Sequence, residues 1–343
     1  MIILNIELQK KKMVLAYREP KDLFERAVEA CKRRPPPPRV EKLERMRLDA
    51  QRCIERSFKV VDTRLRAIVE TSPYLDDLHP LFRDLLLLSV DPNEYKKCAA
   101  KLASARKIIR KIYSESKRRI KSSASQAEAV KARRAFFGRT LSVLKSLENC
   151  FSTVRNVQEA FLKLPEIDTE IPSVVIAGAP NVGKSTLLRA LTNAKPKVSP
   201  YPFTTKELQV GILDLKWSRV QLLDTPGLLD TPLEEKNRIE LQAVLAIRHI
   251  SKLILFVVDP TEMCGFPLEY QRAVYTGIAG NFPHIRQIIV LNKIDAANDE
   301  HLTRFRQVFQ NLEFIGISAE KKQNLEKLIE AIEEAIEEKT RKV

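Results

Sequence analysis

The stretch Gly178-Ala179-Pro180-Asn181-Val182-Gly183-Lys184-Ser185 decides the fold of the second half of the chain. It fits the pattern GxxxxGK[ST] at every position, with a predicted strand, Val174–Ala177, before it and a predicted helix, Thr186–Leu191, after it. The glycines let successive backbone N–H groups curl around phosphate oxygens, and the helix N-terminus favours an anion. The stretch therefore predicts a phosphate-binding loop between a strand and a helix.

The side chains of this loop suggest how it would hold a nucleoside triphosphate. Lys184 is a point charge that can reach the β- and γ-phosphates. The Ser185 hydroxyl is a hard oxygen of the kind that Mg²⁺ prefers. Asn181, Gly183 and Thr186 complete the candidate nucleotide-binding residues of the loop.

Two stretches further along the chain carry the chemistry expected around a γ-phosphate. In Asp224-Thr225-Pro226-Gly227, Asp224 can hold Mg²⁺ through water and Gly227 can offer its N–H to the γ-phosphate. In Tyr201-Pro202-Phe203-Thr204-Thr205, the Thr205 hydroxyl would complete the Mg²⁺ coordination only while γ-phosphate is present. The candidate metal ligands are thus Ser185, Thr205 and Asp224, and the candidate catalytic residues are Lys184, Thr205, Asp224 and Gly227.

Asn292-Lys293-Ile294-Asp295 and Ser318-Ala319-Glu320 predict recognition of guanine. A carboxylate at Asp295 can accept the N1–H and N2–H groups of guanine, whereas adenine lacks this pair of donors. The Lys293 stem can cover the face of the base, and the N–H of Ala319 can meet guanine O6. The candidate base-binding residues are Asn292, Lys293, Asp295, Ser318 and Ala319.

The remaining apolar runs of the second half predict the rest of an α/β domain. Most of these runs are separated by helical stretches, which is typical of buried parallel strands. The exception is Leu208–Leu215 followed by Val220–Leu223, because the link between them is too short for a crossover helix. The prediction for residues 173–343 is a P-loop domain with a mostly parallel sheet and one antiparallel hairpin.

The first half of the chain predicts an all-α bundle of about four to six helices. Gly138 is the only glycine before residue 171, and no strand-like alternation precedes Ile171. From Val40 onward, apolar residues recur at three- and four-residue steps, and Asp91-Pro92 marks a helix start. We expect a helical domain over residues 1–164 and a linker over 165–172.

The charge of the chain is concentrated in the predicted helical domain. The net charge is +15, and residues 1–170 contain 37 Lys and Arg against 23 Asp and Glu. Glu115 is the only acid between Lys101 and Ala127, so most Lys and Arg residues in this stretch have no acid at helical spacing. This imbalance predicts contact with a polyanion, and the scarcity of aromatic residues favours phosphate contacts over base stacking. The two basic clusters are Lys101, Arg106, Lys107, Arg110, Lys111, Lys117, Arg118, Arg119 and Lys121, and then Lys131, Arg133, Arg134 and Arg139.

Several classes of protein are disfavoured by the sequence. The longest fully apolar run, Leu253–Val258, is far too short to span a membrane, and the N-terminus does not have the form of a signal peptide. The five cysteines form no CxxC pair and predict neither a zinc site nor disulfides, so we interpret them as buried free thiols of a cytoplasmic protein. They are Cys31, Cys53, Cys98, Cys150 and Cys264.

The motifs in this order resemble the translation-factor-like GTPases, and Tyr201-Pro202-Phe203-Thr204-Thr205 resembles the Obg-like branch. With a basic helical domain ahead of it, the chain is similar to the nucleolar GTP-binding protein 1 family in its shorter, prokaryotic form. The resemblance implies a monomeric GTPase that uses GTP, GDP and Mg²⁺. It also implies that the protein assembles the large ribosomal subunit and contacts that subunit or its precursor, including ribosomal RNA.

The resemblance leaves one step of GTP hydrolysis without a residue. Ras-type enzymes have a glutamine after the DxxG motif that orients the attacking water, whereas this chain has Leu228. Either intrinsic hydrolysis is slow and accelerated by a partner, or Leu228 is a core residue without catalytic meaning. Asn181 resembles the asparagine that binds K⁺ in some relatives, where the cation replaces an arginine finger.

Two alternative functions use the same residues differently. The basic helices could recruit a GTPase to an anionic membrane surface, although the chain shows no lipidation signal. The chain could also be a structural RNA-binding protein that binds nucleotide without hydrolysing it. Sedimentation with ribosomal subunits or liposomes, and measured turnover of GTP, distinguish these alternatives.

Overall fold

The computed structural model describes residues 6–32, 40–192, 195–202, 207–310 and 312–340, which group into two units. The helical unit contains the described residues up to Asp76 together with Ser89–Leu162. The sheet unit contains Asp77–Leu88 and the described residues from Lys163 onward. One unit is all-helical and the other is α/β, which confirms the predicted fold class.

Seven helices come first, and the described residues before Ser173 contain no strand. The periodic apolar residues of the third helix form its buried face, including Ile54, Val61, Leu65 and Ile68. The helices are α1 (Ile6–Lys12), α2 (Pro20–Lys32), α3 (Lys42–Thr71), α4 (Pro80–Leu87), α5 (Pro92–Lys121), α6 (Gln126–Lys145) and α7 (Glu148–Leu162).

Side-chain caps explain where the long basic helices begin. Asp91 accepts hydrogen bonds from the N–H groups of Asn93 (2.8 Å) and Glu94 (3.2 Å), and Pro92 occupies the first turn of α5. Ser125 caps α6 by accepting from the N–H of Glu128. Each cap satisfies N–H groups that the helix itself leaves unpaired. The predicted start of a helix at Asp91-Pro92 is therefore confirmed.

The prediction of five free cysteines is wrong for two of them. Cys31 at the end of α2 and Cys53 in α3 form a disulfide, whereas Cys98, Cys150 and Cys264 are free and buried. Twenty-two residues separate the pair in sequence, and spacing alone does not reveal contacts made through helix packing. The packing of α2 on α3 brings the two thiols together.

The sheet unit is built on seven strands in the order β2-β3-β4-β1-β5-β6-β7. The pairs β1–β4, β1–β5, β5–β6 and β6–β7 are parallel, and β2–β3 and β3–β4 are antiparallel. The predicted hairpin is therefore present, and it carries an additional edge strand, β2. The strands are β1 (Ser173–Ala177), β2 (Lys197–Pro200), β3 (Glu207–Asp214), β4 (Arg219–Asp224), β5 (Ser251–Val258), β6 (Arg286–Leu291) and β7 (Phe314–Gly316).

Helices connect the parallel strands, and a buried apolar core lies between them and the sheet. Val174, Ile176, Leu253 and Leu255 of the central strands are fully buried there, as expected for parallel strands covered on both faces. The helices are α8 (Lys184–Leu191), α9 (Arg238–Ala246), α10 (Leu268–Asn281), α11 (Asp299–Phe309) and α12 (Leu325–Thr340).

Helix α4 departs from the simple boundary that the sequence predicts. Its position in the chain is within the predicted bundle of residues 1–164, but it packs on α9 of the sheet unit. Leu81, Phe82 and Leu85 of α4 are buried, and Asp84 Oδ2 lies 2.7 Å from His249 Nε2. An eight-residue apolar helix needs a surface to cover it, and its sequence does not say which surface.

None of the described helices is both long enough and apolar enough to cross a membrane.

Candidate nucleotide-binding site

The phosphate loop joins the end of β1 to the start of α8, at the carboxyl edge of the parallel strands. Gly178 has φ +139°, and a Cβ there would lie 2.3 Å from the Val257 carbonyl oxygen. Gly183 has φ +100°, and a Cβ there would lie 2.3 Å from the Asn292 side-chain nitrogen. Both conformation and space therefore require glycine at the two motif positions.

Lys184 is held inside the loop by backbone carbonyls. Its Nζ donates hydrogen bonds to the oxygens of Gly178 (2.8 Å) and Ala179 (2.7 Å), and the residue is only 7% exposed. Burial lowers the pKa of Lys184, against the opposing effect of the Asp230 and Asp224 carboxylates. The ammonium group is therefore close to the backbone that would surround phosphate oxygens, in a poorly hydrated environment where it would gain most from an anion.

Ser185 and Asp224 form a pair of oxygen-bearing side chains, suited as metal ligands, near this lysine. The Ser185 hydroxyl donates to Asp224 Oδ2 at 2.5 Å, whereas Asp224 Oδ1 is buried and has no hydrogen-bond partner among the described residues. Burial raises the pKa of Asp224, although the Ser185 hydrogen bond and Lys184 oppose the shift. A buried carboxylate oxygen without a partner is costly. The donor set suits Mg²⁺, which prefers hydroxyl, carboxylate and phosphate oxygens.

Gly227 makes a contact that its motif does not predict. Its N–H, predicted to meet a γ-phosphate, donates to Asp230 Oδ2 at 2.6 Å. Lys236 Nζ donates to the Gly227 carbonyl (3.3 Å) and to Thr231 Oγ1 (3.1 Å). The sequence holds a signal for Asp230, which is an acid three residues after the DxxG glycine, but the motif itself does not include it.

Asn292 links the phosphate loop to the loop that follows β7. Its side-chain nitrogen donates to the Val182 carbonyl (2.9 Å), and its Oδ1 accepts from the N–H of Ala319 (3.0 Å). The Ala319 N–H assigned to guanine O6 is thus engaged with Asn292 in this structure. Ser318 Oγ accepts from the N–H of Lys321 (3.1 Å) and stabilises the turn. Asn292 and Ser318 therefore order the backbone around the predicted base site.

Lys293 contacts an acid that belongs to none of the predicted motifs. Its Nζ lies 2.6 Å from Asp259 Oδ2 and donates to the Asn181 carbonyl (3.2 Å). Asp259 is fully buried directly after β5, where it also accepts from the N–H and hydroxyl of Thr261. The signal was available, because Asp259 ends an apolar run just as Asp224 does. Asp295 is exposed, so its carboxylate is accessible to a base.

The remaining predicted site residues differ in their exposure and contacts. Asn181 is exposed with φ +60°, and Thr186 Oγ1 accepts from Arg189 at 3.4 Å. Thr205 lies outside the described residues, and its role as a metal ligand stays a prediction. Leu228 is 1% exposed, so the residue that replaces the Ras-type glutamine lies in the core. This burial favours the second alternative that the sequence left open for Leu228.

The basic clusters of α5 and α6 are mostly exposed and unpaired. Arg106 and Arg110 contact Asp62, and Arg139 contacts Glu115 at 2.8 Å. Within the described part of the chain, the other cations of the two clusters form no ion pair with an acid. They are Lys101, Lys107, Lys111, Lys117, Arg118, Arg119, Lys121, Lys131, Arg133 and Arg134.

Known families match the two halves of the chain separately. Residues 12–168 match the family described as the NOG1 N-terminal helical domain. Residues 173–293 match the family described as 50S ribosome-binding GTPase. The boundary between the two matches coincides with the start of β1.

The chain is also similar to whole proteins. Nucleolar GTP-binding protein 1 of Drosophila melanogaster is 35% identical over 78% of this chain, which covers 41% of that protein. Its counterpart in Saccharomyces cerevisiae is 34% identical over 77% of this chain, again covering 41% of the relative. An uncharacterized protein of Methanocaldococcus jannaschii is 36% identical over 71% of this chain, which covers 68% of that protein. The chain thus spans about two fifths of the nucleolar relatives.

Proposed function

The chain belongs to the nucleolar GTP-binding protein 1 family, and we propose that it is a GTP-hydrolysing switch acting in assembly of the large ribosomal subunit. The carrying observation is the Ser185 hydrogen bond to the buried Asp224 carboxylate, whose second oxygen has no hydrogen-bond partner among the described residues and whose charge interacts with Lys184. These groups match the Mg²⁺ and phosphates of a nucleoside triphosphate. In this proposal the protein acts in the cytoplasm as a monomer.

Each residue has a defined task in this proposal. Lys184 would exchange its two carbonyl acceptors for β- and γ-phosphate oxygens. Ser185 and Asp224, with Thr205, would hold Mg²⁺, which neutralises charge developing on the phosphates. Asp295 would accept the two N–H donors of guanine, and Lys293, already oriented by Asp259, would cover the base.

Intrinsic hydrolysis is slow in this proposal because no glutamine that could orient the attacking water follows the DxxG motif, while the buried Leu228 serves packing. We propose that a partner or a cation supplies the missing stabilisation, with Asn181 as the candidate K⁺ ligand. GTP turnover should be faster in KCl than in NaCl at equal ionic strength. An Asn181→Ala variant should lose that difference, and equal rates for the unmodified protein would contradict the role of K⁺.

The unpaired cations of α5 and α6 support the RNA part of the proposal. Exposed Lys and Arg side chains without acidic partners bind a phosphate backbone by releasing its counterions, so binding weakens steeply as salt rises. The helical unit contains such cations along both helices. Ribosomal RNA is the polyanion that the family membership favours.

Sedimentation of the full chain tests this function. The chain should pellet with large ribosomal subunits, more strongly with a non-hydrolysable GTP analogue than with GDP, and less strongly as salt is raised. Small subunits and anionic liposomes are the matched controls. Pelleting with liposomes alone would favour recruitment to a membrane surface. Binding to subunits without any GTP turnover would leave a structural RNA-binding protein.

A further inference from the structure

We infer that Asp230 sets the preference between GTP and GDP, because its carboxylate occupies the N–H that the γ-phosphate needs. The inference deepens the proposed function and rests on it. Asp230 Oδ2 accepts from the Gly227 N–H at 2.6 Å, a short bond with a charged acceptor. GTP must displace this carboxylate, whereas GDP, which ends at the β-phosphate, leaves it in place.

The environment of Asp230 makes its carboxylate a substitute for a phosphate oxygen. The residue is only 8% exposed, and its second oxygen, Oδ1, is buried without a hydrogen-bond partner among the described residues. Its negative charge acts on Lys184, the cation assigned to the β- and γ-phosphates, by raising the pKa of that group. Asp230 therefore interacts with two groups that a γ-phosphate would contact, Gly227 and Lys184.

The charges around the phosphate loop explain why the Asp230 carboxylate and a γ-phosphate exclude each other. Asp230 and Asp224 already place two carboxylates near Lys184, and each raises the pKa of that lysine. A γ-phosphate at Gly227 would add further negative charge at hydrogen-bond distance from Asp230. Like charges at such a separation in a poorly hydrated site repel strongly. GTP binding therefore requires that Asp230 move away from Gly227.

The segment that carries Asp230 is tied down by Lys236, and this gives the displacement a consequence. Lys236 Nζ donates to both Gly227 and Thr231, so residues 227–231 form one closed loop. When Asp230 leaves Gly227, that loop has one side-chain hydrogen bond fewer, and helix α9 begins seven residues further on, at Arg238. Displacement of Asp230 would thus report the presence of γ-phosphate to the segment that leads to α9.

Titration calorimetry with GDP and with β,γ-imido GTP, both with Mg²⁺, tests the role of Asp230. Asp230→Ala should raise the affinity for the GTP analogue relative to GDP about tenfold, as expected when a competing charge-assisted hydrogen bond is removed. Asp230→Asn keeps a neutral acceptor for Gly227 and should give a smaller rise of the same sign. Glu235→Gln removes a charge from the same segment without contacting Gly227, and its affinity ratio should stay within about twofold of the unmodified protein.

An affinity ratio that is unchanged or lower in Asp230→Ala would overturn the inference. An unchanged ratio would make Asp230 a structural residue of the loop, and a lower ratio would mean that it helps to bind the γ-phosphate. GDP binding by the variants also shows that the cleft is folded. If the unmodified protein binds neither nucleotide, the proposed function fails instead, so the two failures are distinguishable.

Discussion

The nucleotide cleft of the sheet unit, around Lys184, Asp224 and Asp230, and the basic surface of α5 and α6 in the helical unit are both suited to bind anions. They differ in how their charged groups are arranged. In the cleft, Lys184, Asp224 and Asp230 are buried, and each makes short hydrogen bonds in a fixed geometry. On α5 and α6, most cations are exposed and form no ion pair with a described residue. Charge in the cleft is therefore matched to one small ligand, and charge on the helices to an extended one.

This difference teaches how substitutions should behave in the two regions. A buried charged group interacts through a low dielectric, so one substitution there removes a large and specific part of binding. An exposed cation is screened by salt and water, and the effect of removing it is shared among its neighbours. We therefore expect large single effects in the cleft and small additive effects on the helices.

Asp224→Asn should give the largest loss of nucleotide affinity, and it should change affinity and protein stability in opposite directions. The variant keeps the shape of the side chain but lacks the charge for Mg²⁺, so affinity for Mg²⁺–GDP should fall at least about tenfold, as expected when one charge-assisted interaction is removed. The nucleotide-free protein should become more stable, because a penalised buried carboxylate is gone. Calorimetry and thermal unfolding measure the two effects.

The pH dependence of that stability follows from the raised pKa of Asp224. The folded state binds the Asp224 proton more tightly than the unfolded state, so the unmodified protein loses stability as pH rises from about 4, the ordinary pKa of Asp, through the folded pKa. The gain in stability of Asp224→Asn over the unmodified protein should thus be largest at neutral pH and smallest near pH 4. A variant that is less stable at neutral pH would contradict burial as the dominant cause.

Leu228→Gln should cost stability without improving catalysis. The Leu228 side chain is almost fully buried, and a buried amide without partners costs about 1–3 kcal/mol in proteins. Leu228→Met keeps the volume and apolar character and is the matched control, with a cost below about 1.5 kcal/mol. Denaturant unfolding gives both values. A rise of GTP turnover in Leu228→Gln would revive the interpretation that a catalytic glutamine has been replaced here.

The sequence predicted the cleft much better than it predicted the contacts inside it. The phosphate loop, the Asp224 segment and the mostly parallel sheet with its hairpin follow from strand–loop–helix chemistry that each short stretch carries by itself. The Asp230–Gly227 bond and the Lys293–Asp259 pair depend on how loops fold back on one another. Local patterns contain the residue types for such interactions but not the distances.

The helical half was predicted in class but not in detail. Helical periodicity reveals which face of α3 is buried, but it does not reveal which helix covers that face. The Cys31–Cys53 disulfide and the docking of α4 on α9 both depend on those choices. The sequence could not predict either, because each joins residues that no spacing rule connects.

Two triple variants on α5 and α6 test whether cations without an acidic partner, rather than total charge, decide RNA binding. Lys107→Gln, Arg118→Gln and Lys121→Gln together remove exposed cations that form no ion pair with a described residue. The triple substitution should weaken binding to large subunits about tenfold. It should also reduce the salt slope by up to about one for each phosphate that is no longer neutralised.

The matched control for that experiment removes the same amount of charge at paired positions. Arg106→Gln, Arg110→Gln and Arg139→Gln together delete cations that already contact Asp62 or Glu115. The control should weaken binding less, because these side chains are partly engaged within the protein. Equal weakening by both triples would mean that only the net charge of the helices matters.

His79 gives the smallest expected effect and tests how a segment of the predicted bundle is held in the sheet unit. It lies in chain order within the predicted bundle but caps α4 in the sheet unit, where its Nδ1 accepts from the Leu81 N–H at 3.3 Å. Burial lowers the pKa of His79 from its usual 6.5, with a further lowering from His249 and an opposing effect of Glu170.

The lowered pKa makes the stability of the protein depend on pH, because the unfolded state binds the His79 proton more readily than the folded state. The contribution of neutral His79 to stability is therefore complete above about pH 6.5 and is lost as pH falls through the folded pKa. His79→Asn keeps an acceptor for the cap without titrating, so unfolding midpoints between about pH 7.5 and 5.5 should change less steeply with pH than in the unmodified protein. Identical slopes would mean that the docking of α4 on α9 does not depend on the charge of its cap.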